Sequence, residues 1–196
     1  MEPSRTNLER LLAPASVAVV GASVSPEKAG HQALLALQHF PGQVFPINPK
    51  GGEVLGRRAF PSLRALPAPV DLVIFAVPAS GCVEALREAI DSKCASGLIL
   101  GGGFGETGGA GAAIQAEIEA MCARSSFRLL GPNTAGFLNR EVPITASFLL
   151  GADRIPAGEI AVVAQSAGIN LTLGFLLAKL GYGVSCAVGL GNAVNV

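Results

Sequence analysis

The sequence predicts an α/β protein built on a doubly wound parallel sheet, followed by part of a second α/β unit. Two observations predict it. Short β-branched apolar runs alternate with helix-like segments, as in a parallel sheet covered on both faces. Gly, Pro, Asn and Ser gather where those runs end, which is where the loops of such a sheet lie. Half of the 196 residues are hydrophobic and only 14% are charged, enough apolar material for a core and too much for wholesale disorder. Fourteen basic residues balance fourteen acidic ones, so the chain offers no broad electrostatic footprint for nucleic acid or an anionic membrane. With no Trp and one Tyr it also lacks platforms for stacked bases.

The first strand spans Ser16 to Val20 and ends at Gly21-Ala22-Ser23. A helix is expected next, with Ser25 as N-cap and Pro26 at the first helical position. Its apolar set is Ala33, Leu34, Leu37 and Phe40, and Pro41-Gly42 should stop it. Gln43 to Ile47 is the second strand, closed by Asn48-Pro49-Lys50-Gly51-Gly52, and Val70 to Val77 is the clearest central strand, left at Pro78. Cys82 to Ile90 is helical, Leu98 to Leu100 a buried strand, and Gly101 to Gly111 a glycine-rich loop. Ala112 to Cys122 forms an amphipathic helix with Ile114, Ile118 and Met121 on one face. Arg128 to Leu130 is a further strand, ending in Gly131-Pro132-Asn133.

The pattern then changes. Thr134 to Gly158 is expected as a loop or hairpin stretch, followed by a strand (Glu159 to Ala164), a turn (Gln165-Ser166-Ala167-Gly168), a helix (Ile169 to Leu180) and a strand (Gly183 to Val188). A boundary near 143 divides residues 1–142 from 143–196. The second unit, with 54 residues and two strands, is smaller than an open α/β sheet normally requires, so it is either truncated or completed elsewhere.

Cys82, Cys94, Cys122 and Cys186 form no C-x-x-C pair, which gives no zinc framework and fits small core residues in a reducing cytoplasm. Glu2, Arg5, Glu9 and Arg10 precede any long apolar run, so the start does not match a secretory signal. The most apolar helix, Ile169 to Leu180, is too short to span a bilayer.

Ligands of open parallel sheets bind at the carboxyl ends of the strands. Five such loops are available: Gly21-Ala22-Ser23, Asn48-Pro49-Lys50, Pro78-Ala79-Ser80, Gly101-Gly102-Gly103 and Gly131-Pro132-Asn133. Small residues admit close backbone approach, helix N-termini attract phosphate, and Lys50 adds a point charge. A dinucleotide fingerprint requires G-x-G-x-x-G and an acidic residue about 20 positions on. Here Ser23 replaces the second glycine and the second strand ends in Asn48, which disfavours NAD. A lysine there suits a ribose carrying its own phosphate, as in coenzyme A (CoA) or NADP, and the chemistry alone leaves both open.

Six segments in order, SVAVVGAS, VFPINPK, VDLVIFAVPA, GGGFGETGGAG, LLGPNTAGFLN and EIAVVAQSAGINLTLGFLLAKLGYGVSCAVGLGNAVNV, together resemble the NDP-forming acyl-CoA synthetases. These comprise the ADP-forming acetyl-CoA synthetases and the more distant succinyl-CoA synthetase α subunit. The resemblance runs from about Ser16 to Val196. It implies a Rossmann-like CoA-binding domain over 1–142 and the beginning of a flavodoxin-like, succinyl-CoA-synthetase-like second domain over 143–196. By the same resemblance Gly21, Ala22, Ser23, Val24 and Lys28 lie along the CoA phosphates and the start of pantetheine. Asn48, Pro49 and Lys50 meet the adenosine side. Val77-Pro78-Ala79 and Gly101-Gly102-Gly103 line the thiol arm, and Asn133 lies near its end.

In the family's second domain a Ser-Gln-Ser-Gly-Ala loop cradles the phosphate of a phosphohistidine. This chain has Ala164-Gln165-Ser166-Ala167-Gly168, with the first serine lost and Gly and Ala exchanged. The resemblance further implies formation of acyl-CoA from a carboxylic acid, CoA and ATP through a phosphohistidine. The histidine, together with the ATP-grasp domain or subunit that takes ATP and Mg, would be supplied in cis or trans within an oligomer. His31 and His39 do not stand where the family places the phosphorylated residue, so no catalytic residue is assigned and the chain alone is expected to be silent. The alternative readings are the CoA-binding module of a protein acyltransferase and an NADP-dependent oxidoreductase.

Overall fold

Strand faces alternate with period two, and in this chain both faces of the first sheet are apolar, so helices must cover both. The computed structural model describes residues 5–148, 151 and 154–196. The chain runs α1 (Asn7–Leu12), β1 (Ser16–Val20), α2 (Ala29–Ala36), β2 (Gln43–Ile47), β3 (Glu53–Val54), β4 (Arg57–Arg58), β5 (Leu72–Phe75), α3 (Ala79–Asp91), β6 (Ser96–Leu100), α4 (Gly109–Ala123) and β7 (Arg128–Thr134). It continues with β8 (Phe137–Asn139), β9 (Ile144–Ala146), β10 (Ala157–Ala164), α5 (Ala167–Lys179) and β11 (Val184–Gly189).

Five strands pair in the order β2-β1-β5-β6-β7, all parallel. Val17, Val19, Leu72 and Ile74 pack with Leu11 of α1, with Ala33 and Leu34 of α2, and with Leu37 just after α2. The intervening Ala18, Val73 and Phe75 pack on the other face with Cys82 and Leu86 of α3 and Ile118 and Cys122 of α4. The expected doubly wound sheet is therefore present.

The second sheet is mixed, in the order β10-β11-β8-β9. β10 and β11 are parallel, while β8 runs antiparallel to β11 and β9 antiparallel to β8. Its hairpin belongs to both units: Phe137, Ile144 and Ala146 sit in the same apolar cluster as Ala33 and Leu34 of α2. The core is thus continuous from the first sheet into the second. Residues 149–150 and 152–153 of the expected hairpin stretch lie outside the described residues.

Several boundaries differ from the sequence reading. Ser25 does not cap α2; Lys28 holds the N-cap position without a side-chain cap. Ser25 instead belongs to a preceding turn, its N–H donating to Ser23 Oγ (3.1 Å) and its carbonyl accepting from Lys28 N (3.1 Å). The helix also ends sooner, with Leu37 as C-cap. α4 starts at Gly109, inside the expected glycine-rich loop, because Gly108 takes φ +69° and turns the chain into it. β7 continues through Gly131-Pro132-Asn133 to Thr134. Two elements were not anticipated. One is α1, whose Thr6 and Glu9 form a reciprocal capping box. The other is the two-residue hairpin β3–β4.

The tightest packing lies where α2 leaves β1. A Cβ on Gly30 would stand 2.0 Å from the carbonyl oxygen of Gly21, a backbone atom that cannot swing aside. Gly30→Ala is therefore expected to cost about 2–3 kcal/mol in urea unfolding. Gly81→Ala, in the first turn of α3, adds a Cβ that meets Val77 only at an ordinary 3.8 Å. It is expected to gain about 0.5–1 kcal/mol. Equal effects of the two substitutions would contradict this packing.

Candidate functional site

In this sheet the order of strand addition reverses between β1 and β5, and the crevice outside their carboxyl ends is the usual ligand position of such sheets. Gly21 sits there with φ +88°, and a Cβ on it would meet Ala76 O at 2.5 Å and Val77 Cγ1 at 2.9 Å. Only a glycine lets the two loops approach this closely. Ala22 is buried, Ser23 half-buried, and Val24 69% exposed, so the loop presents its outer edge to solvent.

Asn48 joins this loop to the end of β2. Its Nδ2 donates to Ala22 O (2.9 Å) and its Oδ1 accepts from Lys50 N (2.9 Å). Both polar ends of the amide are spent on backbone, so Asn48 fixes the Gly21 loop and the Pro49-Lys50 turn in one arrangement. The Lys50 and Lys28 side chains are exposed, and among the described residues no carboxylate pairs with either.

The remaining loops continue along the same edge. Pro78 is the N-cap of α3 and Ala79 its first residue. A Cβ on Gly103 would lie 3.3 Å from Ala79 Cβ, and one on Gly102 would lie 3.2 Å from Asn133 Oδ1. Gly101 (φ +79°) faces open space. Gly21 to Val24, Val77 to Ala79, Gly101 to Gly103 and Asn133 thus form one contiguous rim, with Lys50 at its β2 end. Such a rim, with backbone close to the surface and two free cations, fits an extended anionic ligand.

Glu106 follows the glycine loop and is exposed. Its Oε1 accepts from Gly103 N (2.6 Å) and Phe104 N (3.1 Å), and its Oε2 accepts from Asn192 Nδ2 (2.7 Å). The slight desolvation of this exposed carboxyl pushes it up. The hydrogen bonds from Asn192 and from the backbone N–H groups of Gly103, Glu106 and Phe104 outweigh it and hold the group at about 2. The F-G-E spacing was visible in the sequence, but its partner Asn192 is 86 residues away.

The second loop stands at the start of α5. Ser166 is the N-cap, its Oγ accepting from Ile169 N (3.5 Å), with Ala167 and Gly168 opening the helix. Gln165 and Gly191 exchange two hydrogen bonds, Gly191 N to Gln165 O (3.1 Å) and Gln165 Nε2 to Gly191 O (3.0 Å). Since Asn192 N donates to Pro132 O (2.8 Å), this loop is moored to the same end of the first sheet as the rim.

His31 and three of the four cysteines are buried in the fold. His31 is buried and its Nδ1 lies 3.0 Å from Ser23 O, beneath the rim loop, while His39 is exposed at the end of α2. Cys82, Cys94 and Cys122 are buried, and burial pushes the Cys82 thiol up to about 12 and that of Cys122 to about 11. Among the described residues no three His, Cys, Asp or Glu side chains gather as a metal ion would require, and no helix is long and apolar enough to cross a membrane.

Comparison with known proteins matches residues 15–140 to the CoA binding domain. Acetate–CoA ligase [ADP-forming] I of Archaeoglobus fulgidus is 35% identical over 185 residues, which is 94% of this chain and 27% of the relative. Acetate–CoA ligase [ADP-forming] II subunit alpha of Pyrococcus furiosus is 30% identical over 190 residues, which is 96% of this chain and 41% of the relative. Among solved structures, the dinucleotide-forming acetyl-coenzyme A synthetase 1 of Ca. Korarchaeum cryptofilum, in complex with phosphate and ADP, superposes with a TM-score of 0.90 at 30% identity. That match covers 97% of this chain and 41% of the solved one. The chain therefore spans between a quarter and two fifths of the length of these relatives.

Glu106 makes the fold sensitive to acid in a defined direction. Its folded value, about 2, lies below its ordinary 4.5, so its contribution is complete above pH 4.5 and is lost as pH falls toward 2. Urea unfolding should show wild type more stable than Glu106→Gln at pH 6, with the gap closing between pH 4.5 and 2. A gap independent of pH would contradict the assignment.

Proposed function

Because the chain belongs to the CoA binding domain family, with coenzyme A as its cofactor, we propose that it is the CoA-binding portion of an ADP-forming acyl-CoA synthetase. That enzyme is an acid–thiol ligase, making acyl-CoA from a carboxylic acid, CoA and ATP. The observation that carries the proposal is the contiguous rim at the carboxyl edge of the parallel sheet, ending in the unpaired Lys50. Bound there, CoA supplies the thiol that accepts the acyl group.

The residues of this chain bind and orient. Gly21, Ala22, Ser23 and Val24 offer backbone and hydroxyl donors to the diphosphate, with Lys28 as a nearby cation. Asn48 and Pro49 shape the turn that presents Lys50 to the phosphate on the ribose. Val77, Pro78 and Ala79, with Gly101, Gly102 and Gly103, leave a shallow path for the arm toward Asn133. In the second unit, Gln165, Ser166, Ala167 and Gly168 open α5 toward the same end, where a phosphoryl group carried by another segment would be received. The division into residues 1–142 and 143–196 belongs to this reading, the shared hairpin β8–β9 acting as the joint.

The charging chemistry is assigned to further polypeptide, an ATP-grasp domain or subunit in the cytoplasm. The second unit supports that assignment. β10 lies at the edge of its sheet although Ile160 to Ala164 is an uninterrupted apolar run. Val163, Ile169, Leu176, Leu180 and Tyr182 are all exposed beside it. A helix with exposed apolar residues and an interior-type strand left open are surfaces made to be covered.

Calorimetric titration tests the proposal. The chain should bind CoA and should bind NADPH far more weakly. Lys50→Ala should weaken CoA about tenfold and leave dephospho-CoA, which lacks the ribose phosphate, unchanged. Tight NADPH binding without CoA binding would overturn the assignment.

A further inference from the structure

Three segments distant in sequence meet behind the arm end of the rim: the glycine loop 101–106, the turn 131–133, and the segment 191–195 that follows β11. Asn192 is where they join. Its Nδ2 donates to Glu106 Oε2 (2.7 Å) and to Gln115 Oε1 (2.8 Å), its Oδ1 accepts from Asn133 Nδ2 (3.4 Å), and its backbone N–H donates to Pro132 O (2.8 Å). Val194 N then donates to Gly131 O (3.0 Å), and Asn195 brackets the start of β7 by accepting from Leu129 N (2.7 Å) and donating to Phe127 O (3.0 Å). Gly191 permits this seating: it takes φ +62°, and a Cβ there would lie 2.3 Å from Pro132 O.

On the other side of Asn192, the Glu106 carboxylate holds the N–H groups of Gly103 and Phe104, and Gln115 Oε1 holds that of Gly105 (3.0 Å). Gly101, Gly103 and Gly108 all take positive φ, so the Gly101–Gly103 segment has wide conformational freedom and no side chain of its own, while the buried Phe104 anchors the residue that follows it. The carboxylate and the Gln115 side chain that hold these N–H groups are both held in turn by one amide, that of Asn192. The amide belongs to the second unit.

We infer that Glu106 and Asn192 form a latch through which the second unit sets the Gly101–Gly103 loop in the form that accepts the thiol arm. Both are positioning residues, acting through the backbone of Gly103 rather than touching the ligand. Because Gly191 is bonded in turn to Gln165, the same latch fixes the spacing between the end of the arm and the loop that opens α5. The inference rests on the reading of the rim as a CoA site and goes beyond it, by making CoA affinity depend on a residue outside the matched domain, which ends at 140.

The test compares two ligands on the whole chain: CoA, and adenosine 3′,5′-bisphosphate, which has the nucleotide end but no arm. Glu106→Gln and Asn192→Ala should each weaken CoA about tenfold. Each should leave the bisphosphate within about twofold, since the β1 and β2 loops are untouched. The double variant should fall well short of the product of the two single effects, because both break the Glu106–Asn192 bond. A merely structural role would weaken both ligands together, and that result would overturn the latch, as would CoA binding unchanged in both variants. Failure of the wild-type chain to bind either ligand would instead remove the CoA reading on which it rests.

Discussion

The approach of α2 to the end of β1 is the constraint on which the rest of the site depends. Gly21 turns with positive φ against the carbonyl of Ala76, and Gly30 lies so close to the carbonyl of Gly21 that no side chain fits between them. Helix, first strand and third loop are thereby drawn to one point at the carboxyl edge. The rim follows: Asn48 reaches Ala22 from β2, Gly103 meets Ala79, and Gly102 meets Asn133. A bulkier residue at position 21 or 30 would open the crevice between the ends of β1 and β5.

A second constraint joins the two sheets. The hairpin β8–β9 gives its hydrogen bonds to β11 and its apolar side chains to α2, so neither unit closes its core alone. Segment 191–195 repeats that logic with polar groups, spending Asn192 and Asn195 on loops and strand ends of the first sheet. Backbone polar groups need partners, and here the carbonyls of Gly131 and Pro132 and the N–H of Leu129 find theirs in the other unit.

The parallel sheet was legible because its strands are apolar on both faces, and the rim because turn residues must stand where such strands end. β1 and β2 fall on the expected residues. Ser25-Pro26 misled because the local cap signal is strong, whereas the start of α2 is decided by the contact of Gly30 with Gly21, which no local pattern shows. The box Thr6-x-x-Glu9 is a local start signal for α1 that stood in the sequence and went unread. The mixed pairing of the second sheet and the partnership of Glu106 with Asn192 were not readable, since both depend on contacts between residues far apart in the chain.

The central claim is that the carboxyl edge of the first sheet holds CoA along its whole length. Amide chemical shifts of the isotopically labelled chain, followed during titration with CoA, test it most directly. The account predicts saturable shifts at Gly21, Ala22, Ser23, Lys50, Gly102 and Gly103, with the amides at the opposite end of the sheet, such as those of Asp71 and Ser96, unmoved. Saturation with the rim amides unmoved, or with shifts confined to α1 and the start of β7, would contradict it.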